Sequence, residues 1–255
     1  MKSKKSALVV LSGGQDSTTC LFWAKKYFEK VHAVSFDYGQ RHRIELESAR
    51  IIASMAQVNS FEIIQLPGLL HSTSPLTSGN ELEQYRDAEH MEHVIGDRVE
   101  LTFVPMRNTM FLTVASNRAV ELGCNVIVTG ICGEDNANYP DCTEPFRYSF
   151  ERMLNISLGT ADRFKIEAPL MFLSKAQSIV LAQNLPGCMD ALAYSHTSYD
   201  GKYPPTDMNH ANVLRAAGFE EAGVPDPLVL RACREGLMNL PETPNYEAER
   251  NGRPY

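Results

Sequence analysis

The stretch from Leu8 to Cys20 limits the choice of fold more than any other part of the chain. Its sequence, LVVLSGGQDSTTC, reads as an apolar strand, a short turn with two glycines and the start of a helix. A helix that begins this way presents free backbone N–H groups and the positive end of its dipole to one point, which suits an anion. Gly13 and Gly14 let the backbone approach a phosphate closely. The stretch therefore predicts a phosphate site after the first strand.

The turn differs from the two best-known phosphate-binding loops. Gln15 and Asp16 stand where a dinucleotide-binding loop would carry more glycine, and no Lys-Ser or Lys-Thr pair follows, as a Walker loop requires. The pattern is S-G-G-x-D-S, in which Ser12 and Ser17 can add hydroxyl donors. A nucleotide site of another kind is expected.

Strands and helices alternate in the first part of the chain. Hydrophobic periodicity predicts strands over 7–11, 31–36 and 61–66 and helices over 17–30 and 44–55. This order predicts an α/β protein with a doubly wound, mostly parallel sheet that binds ligands at the carboxyl ends of its strands.

The rest of the chain divides into segments of different character. Residues 67–100 interrupt the alternation, and a surface loop and a substrate lid both remain open for them. Further helices are expected through Phe111 to Leu122 and over 145–158, 175–183, 210–217 and 227–237, and further strands over 124–130 and 164–170; Ser174 is the expected N-cap of the helix at 175–183. We expect a nucleotide-binding domain over 1–185, a small helical and irregular lobe over 186–239, and a poorly ordered tail over 240–255.

Composition excludes several classes of protein. The net charge is −7, whereas a nucleic-acid-binding protein normally has a basic face. No apolar run approaches the roughly 18–20 residues of a membrane span, and the basic N-terminus lacks the apolar region of a signal peptide. The six cysteines form no C-x-x-C pair, which argues against a disulfide framework or a cysteine-rich zinc site. We expect a cytoplasmic protein with small-molecule substrates and neither nucleic-acid nor membrane partners; a homodimer remains open.

Polar residues follow four of the predicted strands, at 12–18, 37–43, 107–108 and 129–135. Each group alone could be a loop ion pair, a helix cap or a turn. Because parallel strands end at one edge of the sheet, together they predict a single site.

Longer strings carry a family resemblance. The first turn resembles the PP-loop of ATP pyrophosphatases, which split ATP into AMP and pyrophosphate while they activate a substrate oxygen. Over about residues 7–180 the chain resembles one such family, the QueC family of 7-cyano-7-deazaguanine synthases, in the strings SGGQDSTTCL, FDYGQRHR, TFVPMRN, TGIC, YPDC and PLM. The resemblance implies an adenine nucleotide alpha-hydrolase-like fold. It also implies a ligase that uses ATP and Mg²⁺ to convert 7-carboxy-7-deazaguanine and ammonia into 7-cyano-7-deazaguanine, for queuosine or for deazaguanine bases in DNA.

The same resemblance supplies the candidate site residues. The ATP-binding set is Leu11, Ser12, Gly13, Gly14, Gln15, Asp16, Ser17, Thr18, Thr19, Cys20 and Leu21. The candidate catalytic residues are Asp16, also a candidate Mg²⁺ ligand, and the charge stabilisers Arg41, Arg107 and Lys175. The candidate substrate-binding residues are Asp37, Gln40, His42, Asn108, Asp135 and Asp141. For Lys175 a solvated lysine at a helix start, and for His42 a packed loop histidine, remain alternatives.

The chain departs from the family pattern near its C-terminal end. Family members carry four zinc-binding cysteines, in C-Y-N-G and in C-x-x-C-x-x-C-x-L-R. The matching positions here are Ser198, Thr206, Asn209 and Asn212. Hydroxyl and amide groups are poor zinc ligands, although His196, Asp207 and His210 lie nearby. We predict that zinc is absent and that Tyr/Pro packing and Asp–His hydrogen bonds replace it.

Smaller departures lie beside the expected site. Met106 stands where glycine is usual, Gln177 replaces a glutamate, and the family's C-E-T-D is C-G-E-D at residues 132–135. Two further functions therefore stay open: a ligase that stops at 7-amido-7-deazaguanine or adenylates another carboxylate, and a non-catalytic ATP-binding module.

Overall fold

The computed structural model describes residues 3–40, 43–78, 81–96, 98–132, 139–198 and 201–252. Its centre is a five-stranded sheet in which every pairing is parallel, in the order β3-β2-β1-β4-β5. The strands are β1 Ser3–Val10, β2 Phe28–Asp37, β3 Ser60–Gln65, β4 Val126–Val128 and β5 Lys165–Glu167. The predicted α/β class and parallel sheet are confirmed.

Ten α-helices are assigned within the described residues. They are α1 Gln15–Tyr27, α2 Ile44–Met55, α3 Ala88–Ile95, α4 Arg107–Glu121, α5 Glu144–Ser157, α6 Lys175–Gln183, α7 Cys188–Leu192, α8 His210–Glu221, α9 Pro227–Arg234 and α10 Glu247–Arg250. Two 3-10 helices, Pro140–Cys142 and Pro244–Tyr246, complete the structure. None of the described helices is long and apolar enough to cross a membrane.

Both faces of the sheet are covered, as an all-parallel sheet requires. On one face, Ala7 and Val9 of β1 pack in a core with residues of α1, α2, α6, α7 and α8. On the other face, Leu8 packs in a core with residues of β2, α4 and α5. The near-continuous apolar run of β1 follows from this double burial.

Strand pairing shortens the first predicted helix. The helix was expected to continue to residue 30, but α1 ends at Tyr27 and Phe28 begins β2. Ser3 of β1 pairs with Phe28, and Ser6 pairs with Lys30. This long-range pairing takes three residues that local helical periodicity assigned to the helix.

The interruption at 67–100 is packed against the C-terminal lobe. It contains α3, which the sequence did not predict, and Tyr85, Met91 and Ile95 form a small core with Val213 of α8. The backbone N–H of Tyr85 donates to the carbonyl of Met208 at 2.7 Å. A lid role for this segment stays a prediction.

Part of the predicted disordered tail is packed. Tyr246 is buried, and its hydroxyl accepts a hydrogen bond from the backbone N–H of Asp226 at 3.1 Å. Asn245 is also buried and donates to the carbonyl of Val224. These contacts hold residues 244–246 on the lobe. The bounds of the domains and of the tail stay predictions.

Candidate active site

Residues 11–17, which are the loop after β1 and the first residues of α1, form one side of a cavity and are called here the phosphate loop. Gly13 has φ +94°, and a Cβ on it would lie 2.2 Å from the carbonyl oxygen of Glu45. The hydroxyls of Ser12 and Ser17 are 2.9 Å apart, and the Ser12 hydroxyl also accepts from the N–H of Gly14 at 3.3 Å. The loop is therefore held in shape at the N-terminus of α1, where backbone donors favour an anion.

The phosphate loop is also packed against the loop that follows β4. β1 and β4 are adjacent, so this is the point where the strand order reverses and where α/β sheets place their ligands. A Cβ on Gly130 would lie 3.0 Å from the backbone nitrogen of Ser17. Only glycine permits this approach without displacing the start of α1.

An ion pair crosses the cavity. Lys175 Nζ lies 2.7 Å from Asp16 Oδ2, although the two residues are 159 positions apart. The predicted cap of α6 is present: Ser174 accepts from the N–H of Gln177, whose side chain accepts from the N–H of Ser174. This capping box fixes the first turn of α6, where Lys175 is buried rather than solvated as in the alternative interpretation.

Helix α8 supports Lys175 from behind. A Cβ on Gly218 would lie 2.6 Å from Cβ of Lys175, so the two helices touch at a position where only glycine fits. The place of this lysine therefore depends on the C-terminal lobe.

The opposite side of the cavity is built at the start of α4. Met106, with φ +65°, is in the left-handed conformation that favours glycine, and it directly precedes Arg107. Asn108 donates from its backbone N–H to Asp141 Oδ2 at 3.3 Å and from its side chain to the Asp141 carbonyl at 3.2 Å. Two predicted substrate-binding residues are thus brought together.

Titratable groups surround Arg107. Burial raises the pKa of Glu45 to about 7, and the nearby Arg107 charge opposes the shift. Burial also raises the pKa of Tyr38, against a hydrogen bond and the charge of Arg107. The pKa of Asp141 is raised for the same reason and is likewise opposed by Arg107. Arg107 is therefore the positive charge that faces three groups whose anionic forms burial disfavours.

The cavity has a volume of about 290 Å³ and is lined by both parts of the molecule. Residues 196–198 and 210–215 of the C-terminal lobe, called here the lobe wall, close it on the side away from the sheet. Burial, with the nearby Lys175 charge second, lowers the pKa of His210 to about 4, so this histidine is neutral at physiological pH. Its ring meets that of Tyr139 edge-on, with the centroids 5.9 Å apart.

Ten of the twenty predicted site residues line this cavity. They are Leu11, Ser12, Gly14, Gln15, Asp16, Ser17, Gln40, Arg107, Asn108 and Lys175. Asp141 lies just behind, bound to Asn108. The role of each residue in binding or catalysis stays a prediction.

Other predicted residues lie elsewhere. Thr18, Thr19, Cys20 and Leu21 are buried within α1 and do not line the cavity; the hydroxyl of Thr18, for example, donates to the Gly14 carbonyl. Gly13 shapes the loop from beneath. Asp37 is buried and accepts from the N–H of Gly39, also outside the lining. Arg41, His42 and Asp135 lie outside the described residues.

The sequence did not single out several residues of the lining. They are Tyr38, Glu45, Phe111, Thr129 and Arg215. Glu45 lies within an ordinary amphipathic helix pattern, and only its place in the first turn of α2, beside Gly13, puts it in the site. The sequence signal that could have indicated Glu45 is its position in the first turn of a helix directly after the FDYGQRHR string.

The region expected to replace zinc contains a polar cluster, called here the Asp207 cluster, of Ser198, Asp207, Asn209 and Asn212. The Asp207 carboxylate accepts hydrogen bonds from the hydroxyl of Ser198 and from the side-chain amides of Asn209 and Asn212. Its partners are hydroxyl and amide groups rather than imidazole. Asp207 is thus hydrogen-bonded as an aspartate in this region, and the predicted Asp–His hydrogen bonds stay a prediction.

A buried ion pair completes the lobe. Arg215 Nε and Nη2 donate to the two carboxylate oxygens of Asp226 at 2.6 and 2.8 Å. Arg215 Nη1 donates to the hydroxyls of Ser195 and Thr197 at 2.8 and 2.7 Å. This pairing ties α8 to the start of α9 and to the segment that enters the lobe wall.

Comparisons with known proteins identify the family. Residues 6–223 match the model of the family described as queuosine biosynthesis protein QueC. The 7-cyano-7-deazaguanine synthase of Laribacter hongkongensis is 47% identical over 231 residues, which cover 91% of this chain and 97% of that protein. The protein of the same name from Chromobacterium violaceum is 46% identical, with the same coverage of each chain.

A solved structure is more distant. A 4-thiouridine synthetase in complex with RNA and ATP is 18% identical, with a TM-score of 0.44, and covers 91% of this chain and 53% of its own. That likeness is too low to inform function. The family match and the two close relatives together establish that this chain belongs to the QueC family.

Proposed function

We propose that this chain is an ATP-dependent ligase that converts 7-carboxy-7-deazaguanine and ammonia into 7-cyano-7-deazaguanine. The observation that carries the proposal is the cavity at the strand-order reversal, where the phosphate loop, the Asp16–Lys175 pair and Arg107 face one another. Relatives that match nearly the whole chain bear the name of that synthase.

The chemistry explains why such a site is needed. A carboxylate is a poor electrophile because oxide is a hopeless leaving group. Transfer of AMP from ATP to the carboxylate releases pyrophosphate and gives a mixed anhydride. Attack by ammonia then forms the amide and releases AMP. A second adenylation, on the amide oxygen, and loss of AMP with a proton give the nitrile.

The described residues suit these steps. Ser12, Gly14 and Ser17 would hold the polyphosphate by hydroxyl and backbone donors at the start of α1. Lys175 and Arg107 would stabilise the negative charge that develops during adenylyl transfer. Phe111, which is stacked on Phe36 with ring centroids 4.4 Å apart, gives the cavity a flat apolar surface suited to a deazaguanine ring.

Glu45 is our candidate for the base that receives a proton from the attacking nitrogen. Glu45 is a residue of the cavity lining, and its pKa of about 7 places the two protonation states within reach at neutral pH. A general base is most effective when its pKa is close to the working pH.

Asp16 is the candidate ligand for Mg²⁺. Its Oδ2 is paired with Lys175, while its Oδ1 is buried and has no hydrogen-bond partner among the described residues. A carboxylate oxygen is the kind of ligand that Mg²⁺ prefers, so the residue fits the ion. When bound, the ion would neutralise phosphate charge.

We propose that the chain works without zinc. The residues at the family's four cysteine positions offer hydroxyls and amides, which are weak zinc ligands. In the described part of the chain, no group of three or more His, Cys, Asp or Glu side chains could hold a metal ion.

Location and partners complete the proposal. We propose a cytoplasmic enzyme that acts on small molecules without a nucleic-acid partner and that takes its ammonia free or from a partner protein. The acidic net charge of −7 supports the absence of a nucleic-acid partner. We keep a homodimer as a proposal.

Product mass tests the function. Purified protein is incubated with 7-carboxy-7-deazaguanine, ATP, Mg²⁺ and ammonium, with a reaction lacking ammonium as the control. We expect a nitrile product, with AMP and pyrophosphate released. A terminal amide would contradict the nitrile claim and favour the amide-forming alternative, to which Met106 and Gln177 beside the site give some support. If no deazapurine or other carboxylate supports pyrophosphate release, the non-catalytic module is favoured.

A further inference from the structure

The Asp207 cluster has one centre. Asp207 Oδ1 accepts from Ser198 and Asn212, and Oδ2 accepts from Asn209. Two ionised oxygens together offer about four acceptor sites, so one carboxylate can bind three donors at once. Bonds of this kind, to an ionised acceptor, are stronger than bonds between neutral groups.

These three donors stand at three of the four positions where the family pattern has zinc-binding cysteines. A zinc ion holds its ligands by drawing them to a common centre. Here the common centre is a side chain of the same segment, and the donors point inward with N–H and O–H groups rather than with ligand lone pairs. The hydroxyl of Ser198 and the amide N–H groups of Asn209 and Asn212 are therefore engaged with the carboxylate rather than with a cation.

Asn212 Oδ1 is the exception in the cluster. It is buried and has no hydrogen-bond partner among the described residues. One amide oxygen and one carboxylate that is already hydrogen-bonded fall well short of the six to eight oxygens that Ca²⁺ takes. The cluster therefore offers too few oxygen ligands to bind a hard cation such as Ca²⁺.

The cluster joins the two segments of the lobe wall. Ser198 is at the end of the first segment, and Asn209 is the N-cap of α8, where its side chain accepts from the N–H of Asn212 at 3.0 Å. His210 and Ala211, which follow Asn209 directly, line the cavity, as does Ser198. Whatever holds Ser198 and the start of α8 together also sets the distance across this wall.

We propose that the Asp207 carboxylate takes the place of the family's zinc ion and positions the lobe wall without a metal. Asp207 is on this account a positioning residue that does not touch substrate. The proposal does not depend on the ligase activity, since metal content, unfolding and amide exchange can be measured on the protein without substrate.

The first test is Asp207→Asn, with Asp190→Asn as its matched control. Both changes remove one negative charge from the C-terminal lobe, but Asp190 is an exposed residue of α7 outside the cluster. We expect Asp207→Asn to lower the thermal unfolding midpoint by about 5 °C or more and the control to change it by about 1 °C or less. Backbone amides of 196–198 and 210–215 should exchange faster, while those of β1 and β4 should not. An unchanged midpoint and unchanged exchange would overturn the proposal.

The second test is metal content. The protein is produced in medium that contains zinc, calcium and magnesium, purified without chelators and analysed by elemental mass spectrometry. We expect far less than stoichiometric zinc or calcium, and no shift of the unfolding midpoint when 1,10-phenanthroline is added. Stoichiometric metal that Asp207→Asn removes would overturn the proposal.

The third test exchanges one centre for the other. Ser198, Thr206, Asn209 and Asn212 are changed to cysteine in the Asp207→Ala background. We expect this variant to bind zinc in stoichiometric amount and, with zinc, to unfold at a higher temperature than Asp207→Ala alone. Zinc binding with no recovery of the midpoint would contradict the idea that carboxylate and ion serve the same purpose.

Discussion

The two sides of the cavity differ in what makes them. In the phosphate loop, shape depends on backbone contacts: Gly13 against the carbonyl of Glu45 and Gly130 against the N–H of Ser17. In the lobe wall, shape depends on side chains, chiefly the Asp207 cluster and the Arg215–Asp226 pair. The phosphate loop carries the S-G-G-x-D-S pattern in full, whereas the lobe has Ser198, Thr206, Asn209 and Asn212 at the four positions where the family pattern has cysteine. Where two backbones touch, only glycine fits. Where side chains hold the shape, a different set of hydrogen-bonding side chains can do the same.

The largest effect on stability is expected from a substitution at Gly13, in the phosphate loop. In Gly13→Ala the new Cβ would lie 2.2 Å from the Glu45 carbonyl oxygen at a φ of +94°. We expect a loss of about 3 kcal/mol or more in the free energy of unfolding and loss of pyrophosphate release. Gly39→Ala is the control, because Gly39 has φ +84° but open space around it. Urea unfolding should show a cost of only about 1 kcal/mol there; equal costs would contradict the crowding explanation.

Substitution of Lys175 tests whether the ion pair with Asp16 is needed for pyrophosphate release. Lys175→Met removes the charge paired with Asp16 and leaves that carboxylate without its partner. We expect ATP-dependent pyrophosphate release to fall by a factor of about 10²–10³. Lys26→Met, on the exposed face of α1, should retain activity. Retained activity in Lys175→Met would remove this lysine from the proposed mechanism.

Stability against pH separates Glu45 on the phosphate-loop side from His210 on the lobe side. The pKa of Glu45 is raised to about 7, so its stabilising contribution is present below its unfolded pKa and is lost as the pH rises through 7. The pKa of His210 is lowered to about 4, so its contribution is present above its unfolded pKa and is lost as the pH falls toward 4. The two slopes oppose each other between about pH 4.5 and 6.5.

Removing either group should therefore leave the pH dependence of the free energy of unfolding that the other one contributes. Glu45→Gln should become more stable from pH 4.5 to 6.5, and His210→Gln should become less stable from pH 4.5 to 7, each by about 1–2 kcal/mol after allowance for solvent screening. Urea unfolding at several pH values measures both. Parallel profiles for the wild type and Glu45→Gln would show that Glu45 is not perturbed.

The smallest expected effect is at Met106, where a family glycine has been lost beside the site. Met106 is 61% exposed and has φ +65°, so Met106→Gly removes backbone strain and little packing. We expect stabilisation by about 0.5–1 kcal/mol. Gln57→Gly, at φ +49°, is the matched control away from the cavity. If Met106→Gly alone is destabilised, the methionine has a packing role that its exposure conceals.

The sequence predicted what is local. The bounds of α2 and α6, the Ser174 cap and the strand–turn–helix of the phosphate loop are confirmed, because periodicity and capping chemistry are written in neighbouring residues. Residues 28–30 were assigned to the helix because their pairing with β1 is a long-range fact.

The site was predictable only where a motif marks it. Lys175 and Asp16 were each named in advance, but their ion pair joins residues far apart in the chain. Glu45 carries no motif of its own, and Tyr38 belongs to the FDYGQRHR string but was not named as a site residue; both line the cavity at the start of α2 and just after β2. Asp207 was named beforehand as a neighbour of the four positions, but its hydrogen bonds with three of them were not predicted, because the family pattern marks those positions as metal ligands.

Because Gly218 of α8 contacts Lys175, ligand binding in the cavity is coupled to the ordering of the C-terminal lobe. A ligand that binds between the phosphate loop and Lys175 would also favour one placement of α8, because a Cβ on Gly218 would lie only 2.6 Å from Cβ of Lys175. Thermodynamic linkage is reciprocal, so a lobe that is better ordered must bind that ligand more tightly, by the same factor by which the ligand orders the lobe. If the Asp207 carboxylate orders the lobe wall as we propose, the affinity for nucleotide would therefore report how well it does so.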